Sequence, residues 1–188
     1  MTQFFTTSDG LRLAYDDQGQ GHPLLCLAGL TRNMGDFETV LDTFRDKARI
    51  IRLDTRGRGQ SDYDPTPANY DLVHEGNDAL ALMDHLGLEK VSILGTSRGG
   101  LISMVLGIEH AHRMHGVILN DIGPALLTSG LSHIMGYIGI RPPYASYDDA
   151  ADKLPGAMAQ QFSNVPRQTW LDFARRCWVE TPDGLELR

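Results

Sequence analysis

The chain has 188 residues, of which 41% are hydrophobic and 22% charged, a composition typical of a folded globular domain rather than of a disordered segment. Its 17 Lys and Arg against 24 Asp and Glu give a net charge of −7, which disfavours nucleic acid and membrane surfaces as partners. We find neither an apolar run of the roughly 18 residues that span a membrane nor the pattern of a signal peptide, so we expect a cytoplasmic protein.

Short apolar runs alternate with amphipathic segments over the first two thirds of the chain. Strands are predicted at residues 11–15, 23–28, 48–53, 91–94 and 117–120. Helices are predicted at residues 33–44, with Asn33 as N-cap, at 72–86, and from Leu101 to Gly116. Strict alternation of strands and helices indicates an α/β fold with a mostly parallel sheet covered by helices on both faces.

The pattern changes at Pro124. A short helix is predicted around 131–138 and a longer one at 166–178, and no further buried strand is predicted. We therefore expect two regions, an α/β core over residues 1–124 and a helical lid over residues 125–188.

One motif carries chemistry. Residues Gly95 to Gly99 read G-T-S-R-G, a G-x-S-x-G sequence placed directly after a buried strand and directly before an amphipathic helix. Such a turn holds its central residue in strained geometry and presents the hydroxyl of Ser97 at the carboxyl end of the sheet. A serine-rich turn without a catalytic role is the alternative. Elsewhere the glycines form neither a dinucleotide fingerprint nor a P-loop, and Cys26 and Cys177 are too far apart for a metal-ligand pattern, so no cofactor or metal is expected.

Three segments in the expected order resemble the α/β-hydrolase superfamily: the serine motif, Leu27-Ala28-Gly29-Leu30, which is similar to its oxyanion loop, and Asp54-Thr55-Arg56-Gly57-Arg58-Gly59-Gln60-Ser61, which is similar to its D-x-R-G-x-G-x-S stretch. The resemblance covers residues 10–124. It implies a serine nucleophile, Ser97, and an oxyanion hole formed by the backbone N–H groups of Leu30 and Arg98. Ala28 departs from the family, which usually has histidine there. We expect Arg56 and Asp54 to brace the loop through an ion pair.

The resemblance also implies an acid and a histidine after the serine. Asp121 directly follows a predicted strand at the active-site edge and is a possible acid, although a turn aspartate is the alternative. His133, in the lid region, satisfies the chain order as a base. His110, His112 and His115 are expected at the far end of the sheet, where cations suit a helix C-terminus.

Because the family draws its histidine from beyond an eighth strand, and the last predicted strand, 117–120, would be the sixth in the family's order, we expect an N-terminal portion of such a hydrolase, with the acid and base beyond Arg188. The strand 117–120 would then be an open apolar edge, at which the missing C-terminal portion or a second copy could pair.

The leading hypothesis for function is a serine hydrolase that cleaves ester-like bonds of a small apolar acyl substrate through an acyl-enzyme. Lactone or carbon–carbon bond hydrolysis stays open, and so does a non-catalytic fragment or interaction module on a hydrolase scaffold. Aromatic side chains of the predicted lid could line an acyl pocket or form its core: Tyr137, Tyr144, Phe162, Trp170, Phe173 and Trp178.

Overall fold

The computed structural model describes residues 1–125, 136 and 138–187. The chain forms two compact units, residues 1–125 and residues 126–188. In the part of the chain that is described, every helix is too short or too polar to cross a membrane.

The first unit is built on a six-stranded sheet in the order β1-β2-β4-β3-β5-β6. Its strands are β1 Gln3–Thr6, β2 Arg12–Gln18, β3 Pro23–Leu27, β4 Arg49–Leu53, β5 Val91–Thr96 and β6 Met114–Asn120. β1 and β2 run antiparallel at one side, whereas β4, β3, β5 and β6 are mutually parallel. The predicted fold class, a mostly parallel α/β sheet, is therefore confirmed.

Helices cover both faces of this sheet. After a 3-10 helix at Met34–Phe37 come α1 Glu38–Phe44, α2 Leu72–His85 and α3 Arg98–Glu109. Side chains alternate between the faces of a strand, so Leu25 and Leu27 of β3 share one core with α2 and α3. Cys26, between them, lies in a second core with Phe37 and Leu41 on the other face. Asn33 caps the first helical segment as predicted, because its side chain accepts a hydrogen bond from the Gly35 N–H.

The sequence misplaced the end of α3. We predicted a helix to Gly116, but α3 ends at Glu109, and His115 and Gly116 belong to β6. Residues from Met114 onward form a strand because they pair with β5 along its whole length. This pairing is a tertiary contact, so the periodicity of the local sequence could not predict it. β1 was also missed, since four residues at the chain start carry little periodic signal.

β6 lies at the edge of the sheet, paired on one side with β5. Val117, Ile118 and Leu119 are 38%, 55% and 38% exposed, in contrast to the buried side chains of β3. The structure thus contains an apolar edge strand at the predicted position, and association through it stays a prediction.

In the second unit, α4 Tyr147–Ala157 and α5 Arg167–Cys177 pack together, and a hairpin follows from β7 Trp178–Thr181 and β8 Gly184–Leu187. The hairpin was not predicted, because we expected a helical region without further strands after Pro124. Four-residue strands are too short to read from sequence, and the hairpin is fixed by burial of Leu185 against the helices. α5 occupies the predicted segment, while most of the helix predicted at 131–138 lies outside the described residues.

Aromatic side chains of the second unit pack on one another. The ring of Trp178 lies 5.3 Å from that of Tyr144 and 6.0 Å from that of Phe173, centroid to centroid. Phe173 in turn contacts Trp170, which is buried in the core of this unit. Trp170 is thus in the core of the unit and Tyr144, Phe173 and Trp178 pack against that core, whereas Phe162 is exposed although its ring contacts Trp170. Tyr137 lies outside the described residues.

Candidate active site

Ser97 lies in the turn between β5 and α3. Its φ of +49° falls in the left-handed region that a residue with a side chain rarely adopts. The surrounding hydrogen bonds enforce this conformation: the Ser97 N–H donates to the Asn120 carbonyl at 2.9 Å, and the Ser97 carbonyl accepts from the N–H groups of Gly100 and Leu101. A strained serine fixed at the carboxyl end of a parallel sheet is the arrangement that the G-x-S-x-G motif predicted.

Both flanking glycines are required by close packing rather than by unusual torsion angles. A Cβ atom on Gly99 would lie 2.1 Å from the Leu27 carbonyl oxygen, and one on Gly95 would lie 2.5 Å from the Gly99 carbonyl oxygen. Any side chain at either position would therefore push α3 away from the sheet. The two glycines of the motif are therefore explained by the close packing of α3, which begins directly after Ser97, against β3 and β5.

The loop after β3 lies against the serine. A Cβ atom on Gly29 would be 3.6 Å from the Cβ atom of Ser97, and the Gly29 carbonyl accepts the Arg32 N–H, which closes the turn. Among the described residues, the N–H groups of Leu30 and Arg98 have no hydrogen-bond acceptor. The Arg98 N–H also opens α3, where the first-turn N–H groups lack helical partners and the helix dipole favours negative charge.

The side chain of Arg98 connects the turn around Ser97 to α2. Its Nε and Nη2 donate to the buried carboxylate of Glu75 at 2.8–3.2 Å, and Nη2 also donates to the Tyr70 carbonyl at 2.9 Å. Neither Glu75 nor Tyr70 was predicted as a partner of Arg98, because no sequence motif distinguishes a glutamate in the first turn of a helix, or a backbone carbonyl, as the partner of a distant arginine. We conclude that this arginine is held by protein groups on two elements.

Arg56 does brace the neighbouring loop, but not through the predicted partner. Its guanidinium, 3% exposed as a residue, donates to both Asp78 carboxylate oxygens at 2.7 and 2.8 Å, to Asp64 at 2.7 Å and to Asp9 at 3.1 Å. The pKa of Asp78 is raised above its usual value, with burial as the largest cause, although the Arg56 guanidinium acts to lower it.

Asp54, the partner that we expected for Arg56, instead organises backbone. Its carboxylate accepts the Met34 N–H at 2.7 Å and the Gln60 N–H at 2.9 Å, so it joins the segment after the oxyanion loop to its own loop. From the sequence, Asp54 was the expected partner of Arg56 because it precedes it by only two residues. The actual partners Asp78 and Asp9 are distant in the chain, so proximity in sequence could not identify them.

One pocket opens beside the loop that follows β3. It is lined by Ala28, Gly29, Leu30, Thr31, Thr55, Arg56, Arg58, Tyr70, Glu75 and Arg98, and its volume is about 410 Å³ including the part open to solvent. Ala28, where the resembled family usually has histidine, is 6% exposed and also belongs to the core around α1. The candidate oxyanion donors and the Arg98 side chain therefore border one space.

Asp121 follows β6 at the point where this strand lies beside the turn around Ser97. It directly follows Asn120, which pairs with Thr96 and accepts the Ser97 N–H, and its own φ is +54°. Its side chain is exposed and has no histidine partner among the described residues. The position fits a candidate acid, and the φ fits the turn aspartate that we named as the alternative.

Most described histidines are remote from Ser97. His110 and His112 lie between α3 and β6, and His115 is the second residue of β6. The ring of His115 packs at a tilt against that of His22, which precedes β3, so this group lies at the amino-terminal ends of the parallel strands, opposite Ser97. His133 lies outside the described residues.

His74 directly precedes Glu75, the residue whose carboxylate binds Arg98. Its Nδ1 faces Asp71 Oδ2 at 2.9 Å, and within the described ranges it makes no hydrogen bond to Ser97. The same ranges contain no group of three His, Cys, Asp or Glu side chains able to hold a metal ion.

Comparison with known proteins gives the same picture. Residues 22–177 match the family described as alpha/beta hydrolase fold. The chain is 33% identical over 180 residues to a 3-hydroxybutyrate-oligomer hydrolase of Cupriavidus necator, covering 93% of this chain and 61% of that protein. It is 27% identical over 154 residues to 3-oxoadipate enol-lactonase 1 of Acinetobacter baylyi, covering 75% and 57%.

Among solved structures, an alpha/beta hydrolase from Novosphingobium aromaticivorans superposes with a TM-score of 0.90 at 34% identity, covering 98% of this chain and 66% of that one. The chain thus spans about three fifths to two thirds of the length of these relatives. Sequence family, fold and serine turn agree, and the chain belongs to the α/β hydrolase family.

Proposed function

We propose that the protein is a serine hydrolase in which Ser97 attacks an acyl carbon and forms an acyl-enzyme. The observation that carries the proposal is the strained conformation of Ser97, with φ at +49° between β5 and α3 and with glycine packing that leaves no room for displacement. Strain of this kind persists where the surrounding structure enforces it, most often at a functional residue.

The proposed mechanism uses the groups around that turn. As the Ser97 hydroxyl adds to the carbonyl carbon, the carbonyl oxygen becomes an oxyanion, which the N–H groups of Leu30 and Arg98 would bind. A histidine base takes the hydroxyl proton and returns it to the leaving group, and water then hydrolyses the acyl-enzyme by the same steps in reverse. Loss of one such oxyanion donor typically costs 10²- to 10³-fold in rate.

The bond cleaved is an ester-like bond in this proposal. The names of two relatives, 3-hydroxybutyrate-oligomer hydrolase and 3-oxoadipate enol-lactonase, support acyl transfer to water. A serine rather than an aspartate at position 97 favours an acyl-enzyme over an alkyl-enzyme. Lactone hydrolysis uses the same residues in the same roles and differs in the leaving group, which stays joined to the acyl part.

Fluorophosphonate labelling followed by intact-mass measurement tests the nucleophile. We expect one adduct per chain, lost in Ser97→Ala and retained in Ser92→Ala. Ser92 is the matched control because it is half-buried on β5, the strand that leads to Ser97, and its Oγ lies 2.8 Å from His22 Nε2, yet it has neither a strained turn nor candidate oxyanion donors. An adduct that survives Ser97→Ala, or no adduct in any form of the protein, would contradict the proposal.

Two histidine variants and a longer form of the protein then locate the base. Labelling by the 188-residue chain that disappears in His133→Ala would assign the base to the predicted lid, and its disappearance in His74→Ala would assign it to the Asp71–His74 pair. Labelling that requires chain beyond Arg188 would place the base there, as the family resemblance implies. Loss of labelling in Asp121→Asn would support Asp121 as the acid.

A further inference from the structure

The pocket beside the oxyanion loop contains three arginines, and two of them are neutralised by protein carboxylates. Arg56 is paired with Asp78, Asp64 and Asp9, and Arg98 is paired with Glu75. The third, Arg58, is half-buried, and its one hydrogen bond among the described residues runs from Nη1 to the Gly57 carbonyl at 2.9 Å. Over the same described ranges it has no carboxylate within ion-pair distance.

A guanidinium has five N–H donors in a rigid fork, so Arg58 retains most of its donor capacity. Nε and Nη2, which make no hydrogen bond to the described residues, keep contact with solvent, since neither is among the buried side-chain atoms that lack a partner there. Partial burial weakens the hydration of the charge and strengthens its attraction for an anion in the pocket. A planar carboxylate is the group that best matches the fork, through two parallel N–H···O bonds.

The position of Arg58 relates this charge to the chemistry. Leu30 and Arg98, the proposed oxyanion donors, line the same pocket of about 410 Å³. An acyl group whose carbonyl oxygen lies between those N–H groups can therefore place a second functional group near Arg58 only if the chain joining them is short. Tyr70 lines the same pocket, and its hydroxyl group accepts the Asp64 N–H at 2.7 Å. This hydrogen bond fixes the Tyr70 side chain, so the loop that contains Asp64 helps to set the shape of the pocket.

We propose that Arg58 binds a carboxylate carried on the acyl part of the substrate, so that the substrate class is the half-esters or lactones of short dicarboxylic acids. This assignment of substrate class rests on the proposed function of Ser97. It replaces the small apolar acyl group expected from the sequence with a small anionic one, and it makes Arg58 a specificity-determining residue rather than a loop brace like Arg56.

Equilibrium binding tests the proposal without requiring turnover. Monomethyl glutarate, an anionic half-ester, and dimethyl glutarate, its neutral counterpart, are titrated by NMR into the Ser97→Ala protein, which cannot form an acyl-enzyme by the proposed route. We expect the half-ester to bind at least 10-fold more tightly than the diester, with a preference that falls as salt is raised. Arg58→Gln should abolish the preference, and Arg58→Lys should restore part of it because it keeps the charge but loses the fork.

Arg45→Gln is the matched control. Arg45 is an exposed arginine directly after α1 that does not line the pocket, so its loss changes the net charge equally and should leave the preference intact. Equal binding of the two esters, no binding of either, or a preference that survives Arg58→Gln would overturn the inference. Because labelling of Ser97 is measured separately, a protein that binds the half-ester but is not labelled in any form, the longer one included, would refute the serine mechanism alone.

Discussion

Gly99→Ala tests most sharply how closely the turn around Ser97 packs against β3. The added Cβ would lie 2.1 Å from the Leu27 carbonyl oxygen, 2.6 Å from the Leu27 carbonyl carbon and 2.9 Å from the Ala28 carbonyl oxygen, all of them backbone atoms. Ordinary contact begins at 3.4 Å, so α3 and the end of β3 must separate by 3.4 − 2.1 = 1.3 Å along the closest contact. Overpacking of this kind costs about 1–3 kcal/mol of unfolding free energy.

The same displacement would move Ser97 away from the loop that contains Leu30. We therefore expect Gly99→Ala to lower both the unfolding free energy in urea and the rate of fluorophosphonate labelling. Gly107→Ala, on the same helix, is the control, because its Cβ would meet the Met114 side chain at 3.5 Å, an ordinary contact. It should raise stability by up to about 1 kcal/mol through helix propensity alone. A Gly99→Ala protein with unchanged stability and labelling would refute the packing argument.

Further predictions concern the rest of the first unit. Burial raises the pKa of the Cys26 thiol to about 12 although Arg52 opposes it, so Cys26 should resist Ellman's reagent at pH 8 and react after denaturation. Asp71→Ala removes the acceptor for two N–H groups at the start of α2 and should cost about 1 kcal/mol in urea unfolding. Burial acts to raise the pKa of Asp16, but hydrogen bonds from the N-terminal amine and Arg52 lower it overall. That stabilisation is present above the unfolded-state pKa and disappears as pH falls through the lower folded value, so Asp16→Asn should flatten the acid limb of the stability profile. Finally, Ile118→Lys on the exposed edge strand should reduce self-association measured by light scattering, and an unassociated wild-type chain would contradict the open-edge hypothesis.

The turn around Ser97 could be predicted from the sequence because its constraints are local. Strand, serine and helix are adjacent in the chain, and Gly95 and Gly99 are required by contacts to neighbouring backbone. The alternation of buried strands with helices likewise identified the sheet, since each element spans enough residues to show its period.

What the sequence did not contain were pairings between distant residues. Glu75 is 23 residues from Arg98, and Asp78 is 22 from Arg56, so charge pattern alone could not select these partners. The hairpin of β7 and β8 was missed for a related reason: its strands are held by burial of Leu185 in the second unit rather than by their own pattern. Arg58 could not be singled out from sequence for the same reason. Three arginines line the pocket, and only the structure shows that Arg56 and Arg98 pair with carboxylates whereas Arg58 has no such partner among the described residues.

The central claim is that Ser97 carries the acyl group during turnover. The most direct measurement is acid quenching of the protein during reaction with a p-nitrophenyl half-ester of glutaric acid, followed by peptide mass mapping. The account predicts a glutaryl adduct on the peptide that contains Ser97, and its absence in Ser97→Ala. Release of p-nitrophenol at an unchanged rate by Ser97→Ala, or an adduct on another residue, would contradict it.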